Sequence, residues 1–341
     1  MGLKLLLKRG ALLAAANWQT VAIQFAAETT FQMMLAVPLV GAAVLVAVLV
    51  GADVSNLLQG SFREMFSTIA TALAAEPVAL AAFVASFLIV LVGGSVLTFL
   101  TKAGTIEVLM AANEAAGPIE TEPVTWDRLQ SASRFNVERF FYGSRRLFRR
   151  YLGLGLLLMM VYGVSGAAYL AFVLVGYRTA AGRALIIGWT LLAGLAGLVL
   201  VAWITLVNIL YLLLQIAIAI EDVGVVDAIR VVARLIRARL PELGGVFVVV
   251  LLMIIGATIA TALALSGVGL IAFVPLVGLI VFPLQLVAML LRGLVFEYIG
   301  LAALGAYLTL YRRHAAELAP AAATASVRGT PPAPASPHQA S

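Results

Sequence analysis

Long apolar stretches with almost no charge alternate along the chain with shorter stretches that carry most of the charged residues. An apolar stretch of about 20 residues is long enough to cross the hydrocarbon core of a bilayer as a helix. The pattern predicts an all-α, polytopic membrane helix bundle with about six transmembrane helices and amphipathic interfacial helices. The predicted spans lie near 31–51, 78–100, 152–177, 185–220, 246–265 and 284–311.

A different pattern, with polar and apolar residues on opposite sides of a helix, precedes one of these spans. One stripe carries Asp227, Arg230, Arg234 and Arg237, and the opposite stripe carries Val225, Ile229, Val232 and Ile236. The run that follows Pro241 is apolar on all sides. We therefore expect an amphipathic helix that lies on the membrane surface and leads into a crossing.

Two stretches do not fit a single crossing of ordinary length. Residues 185–220 are long for one span and short for two, so we expect one long helix that projects from the bilayer. Residues 269–311 contain prolines and are compatible with two short crossings, or with a broken piece and one crossing. Two crossings would leave Arg312 and Arg313 outside, so we prefer a short, partly buried piece near 272–282 before the final span.

The remaining segments divide the chain further. Residues 1–30 begin with a basic stretch and are predicted to form an amphipathic, interfacial helix. Residues 31–314 form the transmembrane bundle, which includes a cytoplasmic segment at 102–150. Residues 315–341 are rich in Ala and Pro and bury too little apolar surface to fold, which predicts a disordered tail.

Similar basic stretches precede two of the predicted spans. Residues 146–152 are RLFRRYL and residues 234–240 are RLIRARL, and the N-terminal KLLLKRGALL is a looser version. These matches suggest three units, each an amphipathic helix followed by two spans. The alternative to duplication is that any interfacial helix entering a membrane has this pattern.

Composition supports the class of integral membrane proteins. Hydrophobic residues make up 63% of the 341 residues and charged residues 11%, against roughly 25% charged residues in soluble domains. The chain has no cysteine, which excludes disulfides and thiolate metal sites.

The basic residues are distributed unequally between the two sides of the predicted bundle. Of the 22 Lys and Arg residues, 18 fall at the two chain ends and in segments 102–150 and 221–242, which share one side. The positive-inside rule then predicts cytoplasmic N- and C-termini, here in a bacterial cytoplasmic (inner) membrane. The net charge of +6 points to anionic lipid headgroups as partners rather than to nucleic acid.

Seven arginines beside the spans are the candidates for contact with lipid headgroups: Arg145, Arg146, Arg149, Arg150, Arg230, Arg234 and Arg237. Each basic residue near an anionic surface contributes about 1 kcal/mol. Segment 102–150 is expected to lie on the membrane, and the alternative is a docking site for a protein partner. The oligomeric state is left open.

Residues that could support catalysis are scarce. The two histidines, His314 and His338, lie at the end of the last span and in the tail, and no nucleotide-binding glycine motif is present. We therefore expect no enzyme activity, no catalytic residue, no cofactor and no metal site.

Polar residues at membrane depth form a candidate intramembrane polar site: Asn208, Gln215, Arg292 and Glu297. A charge near the bilayer centre costs about 2.5–3.5 kcal/mol, so Arg292 should face protein or water and find a partner. Glu297 is the candidate partner. A polar path for a substrate is one interpretation, and hydrogen bonds that only hold helices together are the other.

The second half of the chain resembles a bacterial group of six-helix membrane proteins. The features are the turn Glu221-Asp222-Val223-Gly224, the sequence DAIRVVARLIRARLPELGGVFVVVLL that follows it, and the ending with Tyr307, Tyr311, Arg312 and Arg313. The group includes the membrane domain attached to some glycerophosphodiester phosphodiesterases. The resemblance implies a six-helix bundle; the phosphodiesterase activity belongs to a separate catalytic domain that this chain has no room for.

Two functions follow as hypotheses. The first is a non-enzymatic membrane protein that acts as a scaffold, an assembly factor or a lipid-organising accessory. The alternative is a transporter or lipid-handling protein with a polar site between the fourth and last spans.

Overall fold

The protein folds as an all-α helix bundle, as the sequence predicts. The computed structural model describes residues 2–50, 77–121, 123–179, 183–272 and 277–328, and these contain helices and no strand. The helices are α1 (Leu3–Ala16), α2 (Trp18–Val50), α3 (Pro77–Ala115), α4 (Trp126–Ala132), α5 (Val137–Thr179), α6 (Arg183–Glu221), α7 (Val225–Ala272) and α8 (Val277–Arg328).

Five helical segments are long and apolar enough to cross a membrane: Ala81–Ala115, Val137–Thr179, Leu185–Glu221, Val225–Ala264 and Gln285–Glu317. In their most apolar windows, only 0–17% of the residues are buried within the protein. The apolar side chains therefore face outward, as expected where lipid is the solvent. The first predicted span, 31–51, is helical up to Val50 as part of α2, which is not among these five.

Contacts join the long helices in three sequential pairs, α2 with α3, α5 with α6, and α7 with α8. Further contacts of α3 with α5, α6 with α7, and α8 with α2 close the pairs into a ring. A helical element that contains basic residues precedes each pair: α1, α4 with the start of α5, and the start of α7. The three-unit duplication stays a prediction.

The largest buried side chains lie at one end of the bundle, which we name the core end: Leu6, Leu13, Ile106, Leu109, Leu147, Tyr151, Leu154, Leu213, Ile216, Ile218, Leu235 and Leu308. They come from α1, α3, α5, α6, α7 and α8. The basic segments predicted to share one side, including the described parts of both chain ends, therefore meet in one cluster.

The start of α7 has the two-part form that its pattern predicts. The turn before it contains Asp222 in the left-handed region, with φ 53°, a conformation that Asp tolerates better than most residues. The helix bends at Arg239, where φ is −132° and ψ 28°. Pro241 accounts for the bend, because proline lacks an N–H and crowds the preceding turn. The preceding helix, α6, is one continuous helix of 39 residues, as predicted for 185–220.

Two segments in the C-terminal part of the chain differ from the sequence predictions. A separate short piece near 272–282 is wrong for the described residues, because α7 ends at Ala272 and 277–282 begin α8. The disordered tail from 315 is wrong up to Arg328, because α8 continues that far. A helix that is already formed propagates easily through Ala-rich sequence, although the same sequence could not fold alone. Residues 329–341 lie outside the described part.

The N-terminal 30 residues form two elements and not one interfacial helix. Asn17 separates α1 from α2, and its side chain donates hydrogen bonds to the carbonyls of Leu13 and Ala132. Helix α1 packs against α8 and α4 and buries Leu6 and Leu13. It is therefore part of the protein core.

Candidate functional site

The arginines of the core end fall into two groups, and the first makes contacts within the protein. The Arg9 guanidinium binds Glu120 at 2.7 Å, and Arg312 binds Glu114 at 2.6 Å. Arg239 of α7 pairs with Glu242 of the same helix at 2.9 Å and with Glu317 of α8. These pairs connect the N-terminal helix, the end of α3, and helices α7 and α8, so they stabilise the arrangement of the helix ends.

The second group is exposed. It consists of Arg145 and Arg149 on α5 and Arg230, Arg234 and Arg237 on α7. Arg230 also forms an exposed ion pair with Asp227 on its own helix, at 2.7 Å. All five were predicted to contact lipid headgroups. They lie at the core end, beside the points where the apolar parts of α5 and α7 begin, so their guanidinium groups are accessible from outside the bundle.

Two further arginines predicted to contact lipid are held by protein groups instead. Arg146 donates a hydrogen bond of 2.8 Å to the Ala219 carbonyl and lies 3.5 Å from the Glu107 carboxylate. Arg150 pairs with Asp222 in the turn between α6 and α7. The spacing of arginines in the sequence predicts which face of a helix they share. It does not show which of them contact a neighbouring helix.

The ion pair between Arg150 and Asp222 lowers the pKa of the Asp222 carboxyl, because the guanidinium hydrogen-bonds to its charged form. A lowered pKa in the folded protein contributes stability above the carboxyl's ordinary pKa. That contribution is lost as the pH falls through the lowered value.

We expect Arg150→Gln to raise the pKa of Asp222 and to reduce stability by a small amount near neutral pH, because the carboxyl is exposed. The measurement is the pH dependence of the unfolding midpoint in detergent, between neutral pH and the acid limb. Arg149→Gln, one residue away and exposed, is the control. If the unfolding midpoints of the two variants fall equally as the pH is lowered, the ion pair does not set the pKa of Asp222.

The predicted polar residues of α6 contact tyrosines of α5. The side-chain amide oxygen of Asn208 accepts a hydrogen bond from the Tyr162 hydroxyl. At Gln215 it is the backbone carbonyl that accepts, from the Tyr151 hydroxyl at 2.8 Å. These bonds join the two helices of one pair, which is the simpler of the two interpretations of the polar stripe.

The predicted polar residues of α8 have other neighbours. The Arg292 guanidinium carbon lies 5.4 Å from the centre of the Phe296 ring, one turn along the same helix. Glu297 lies beside the Glu28 carboxyl of α2, with the Lys102 ammonium nearby. The expected pairing of Arg292 with Glu297 is thus not found among the described residues, and the four predicted residues do not form one cluster.

Lys102 is a polar residue that the sequence analysis placed in the cytoplasmic segment and not at this site. Its ammonium lies 5.4 Å from the centre of the Tyr211 ring on α6. Since it also lies near Glu297, it connects α6 with α8 through α3. The feature of the sequence that could have indicated this role is the position of Lys102 at the end of an apolar stretch.

Exposed aromatic residues lie beside the same end of the bundle. Trp126 at the start of α4, and Phe141 and Tyr142 on α5, are exposed, as is Trp18 at the start of α2. Aromatic side chains are enriched where a membrane meets water, and exposed apolar groups also mark protein interfaces. The surface fits both predictions made for segment 102–150.

The chain was compared with known proteins by family, by sequence and by structure. No family model, curated protein or solved structure matches it. The resemblance of the second half to six-helix membrane domains therefore stays a prediction, and the function rests on the geometry of this chain.

Proposed function

We propose that the protein is a non-enzymatic integral membrane protein that organises anionic lipid around itself and acts as a scaffold. The core end would face the cytoplasm of a bacterial cell, with both termini inside and the exposed arginines at the headgroups of the cytoplasmic leaflet.

The division of the arginines into two groups carries this proposal. One group is used in ion pairs that hold the helix ends, and the other is exposed beside apolar helices with outward-facing side chains. Exposed guanidinium groups beside the ends of the apolar helices are suited to bind lipid phosphates, because Arg forms bidentate hydrogen bonds with phosphate.

The scaffold role draws on the exposed aromatic surface at α4 and the start of α5. Trp126 and its neighbours lie outside the buried core, in the same segment 102–150 as the exposed Arg145 and Arg149. Such a surface can hold the protein at the interface and also take a cytoplasmic partner.

The test is the lipid that remains bound when the protein is extracted together with its surrounding bilayer. We expect phosphatidylglycerol to be enriched over zwitterionic lipid in the wild-type particles. Replacing Arg145, Arg149 and Arg230 by Gln should reduce the relative affinity for the anionic lipid by about fivefold each for Arg145 and Arg149, and by less for Arg230, which already pairs with Asp227. Lipid mass spectrometry of the extracted particles measures the ratio.

The control is the double variant Arg292→Ala/Asn208→Leu, whose sites lie within the spans, with matched thermal stability checked for every variant. It should leave the lipid ratio unchanged. If the triple variant retains the wild-type enrichment while remaining folded, the lipid-organising function is wrong.

A transporter or lipid-handling protein is the second candidate, and the Lys102 contacts favour it. They connect polar residues of α3, α6 and α8 at the inner part of the bundle. Under this function the double variant Arg292→Ala/Asn208→Leu would abolish a transport-linked phenotype, and the triple arginine variant would not.

A further inference from the structure

An apolar cavity lies between α5, α6 and the part of α7 before its bend. Its volume is about 330 Å³, and it is lined by Leu154, Leu158, Trp203, Leu214, Ala233 and Ile236, among others. This volume is at the lower end of the range of roughly 300–1,000 Å³ for ligand pockets. The cavity is therefore large enough for part of an elongated apolar molecule.

One edge of the cavity is basic, because arginines of α7 lie directly beside residues that line the cavity. Three residues of α7 that line it, Ile229, Ala233 and Ile236, are each followed directly by an arginine. Successive residues of an α-helix are about 100° apart. The stripe Arg230, Arg234 and Arg237 therefore borders the apolar lining on one side, and all three arginines are exposed.

We propose that this cavity binds one acyl chain of an anionic membrane phospholipid, with the lipid phosphate against Arg234 and Arg237. Arg230 is a weaker candidate for the phosphate, because it already pairs with Asp227 at 2.7 Å. This inference rests on the proposed function and gives it a defined binding site and lipid class.

The chemistry of the cavity selects this occupant over others. A polar metabolite would lose its hydrogen bonds to water on entering an apolar lining, and a peptide backbone would lose them too. An acyl chain has no hydrogen bonds to water, so it loses none on entering the cavity. The arginines at the edge complement a phosphate, and a phospholipid is the molecule of a bilayer that joins both groups.

Trp203 provides a probe inside the cavity. The chain has four tryptophans, and replacing Trp18, Trp126 and Trp189 by Phe leaves Trp203 as the sole tryptophan, whose emission is recorded with excitation that tyrosine does not absorb. In bilayers with brominated acyl chains, we expect stronger quenching of Trp203 by brominated phosphatidylglycerol than by brominated phosphatidylcholine at the same mole fraction. Competition with unbrominated phosphatidylglycerol should reverse the quenching.

Matched variants separate the cavity from the general lipid surface. Ala233→Phe fills the cavity and should remove the excess quenching by phosphatidylglycerol, whereas Ala171→Phe on the exposed side of α5 should not. Arg234→Gln/Arg237→Gln should lower the relative affinity for phosphatidylglycerol by roughly fivefold per arginine. Lys4→Gln, which removes an exposed basic residue of α1 outside both arginine groups, should leave this quenching preference intact.

Equal quenching by the two brominated lipids, or unchanged quenching in Ala233→Phe, overturns the proposed site. This result is distinguishable from failure of the proposed function, because the lipid ratio in extracted particles is measured separately. Enrichment of phosphatidylglycerol without a preference at Trp203 would retain the function and reject the cavity as its site. If the wild-type protein shows neither enrichment of phosphatidylglycerol nor preferential quenching at Trp203, both the proposed function and the proposed site are wrong.

Discussion

Replacing Arg9 by Met is expected to lower the free energy of unfolding by about 3–5 kcal/mol, the usual cost of removing one partner of a buried ion pair. The side chains of Arg9 and Glu120 are only 11% and 9% exposed. Arg9 also donates to the side-chain and backbone oxygens of Asn113, both at 2.8 Å, and to the Gly117 carbonyl at 2.6 Å. The change leaves a buried carboxylate and carbonyls at the end of α3 without their donor.

A double-mutant cycle tests this assignment by unfolding in detergent, followed by circular dichroism. Arg9→Met/Glu120→Gln should recover part of the loss, because no buried charge then remains unpaired. Lys4→Met, on the exposed side of the same helix, should change stability by less than about 0.5 kcal/mol. A cost for Arg9→Met no larger than that of the Lys4 control would show that the pair does not hold α1.

Replacing Gly10 by Ala is expected to lower the free energy of unfolding by about 2–3 kcal/mol, because a tightly filled contact gains a methyl group. A Cβ at Gly10 would lie 2.7 Å from the Ala306 nitrogen of α8 and would also meet the Ala302 carbonyl oxygen. Both obstacles are backbone atoms, so no side-chain rotation relieves the clash. Helix α1 would have to move away from α8.

The control for Gly10 is Gly244→Ala in α7, where a Cβ has no neighbour within 4 Å. That change should raise stability by about 0.5–1 kcal/mol, since Ala favours a helix interior more than Gly does. The two substitutions are chemically identical and are expected to act in opposite directions. Thermal unfolding of both variants in one detergent gives the comparison, and equal signs would contradict the close contact of α1 with α8.

Both predictions concern α1, and their consequence extends to the proposed function. Helix α1 contacts α8 and the end of α3, so it helps hold the core end from which the exposed arginines project. A variant that loosens α1 should therefore disturb lipid enrichment indirectly. For this reason the lipid experiments use arginines outside these contacts.

The candidate polar site illustrates what a pattern can predict. The spacing of Asn208 and Gln215 places them on one face of α6, and both contact α5. No local pattern indicated Tyr162 and Tyr151 as their partners. Arg292 and Glu297 share one helix, but their neighbours are Phe296 and Glu28, which the spacing did not distinguish.

The sequence by itself determined the helical class, the positions of most spans and the two-part form of α7. Each follows from properties of neighbouring residues, namely the transfer of an apolar segment into lipid and the helical repeat of polar residues. The grouping of the basic segments at one end also followed from their order along the chain.

Only the tertiary structure decided that α1 belongs to the core, that α8 continues to Arg328, and which arginines are used internally. It also decided that α5, α6 and α7 together line an apolar cavity. These features depend on residues far apart in the chain, such as Arg9 and Glu120. Exposed and paired arginines have the same local pattern, because burial is a property of the neighbours that folding brings together.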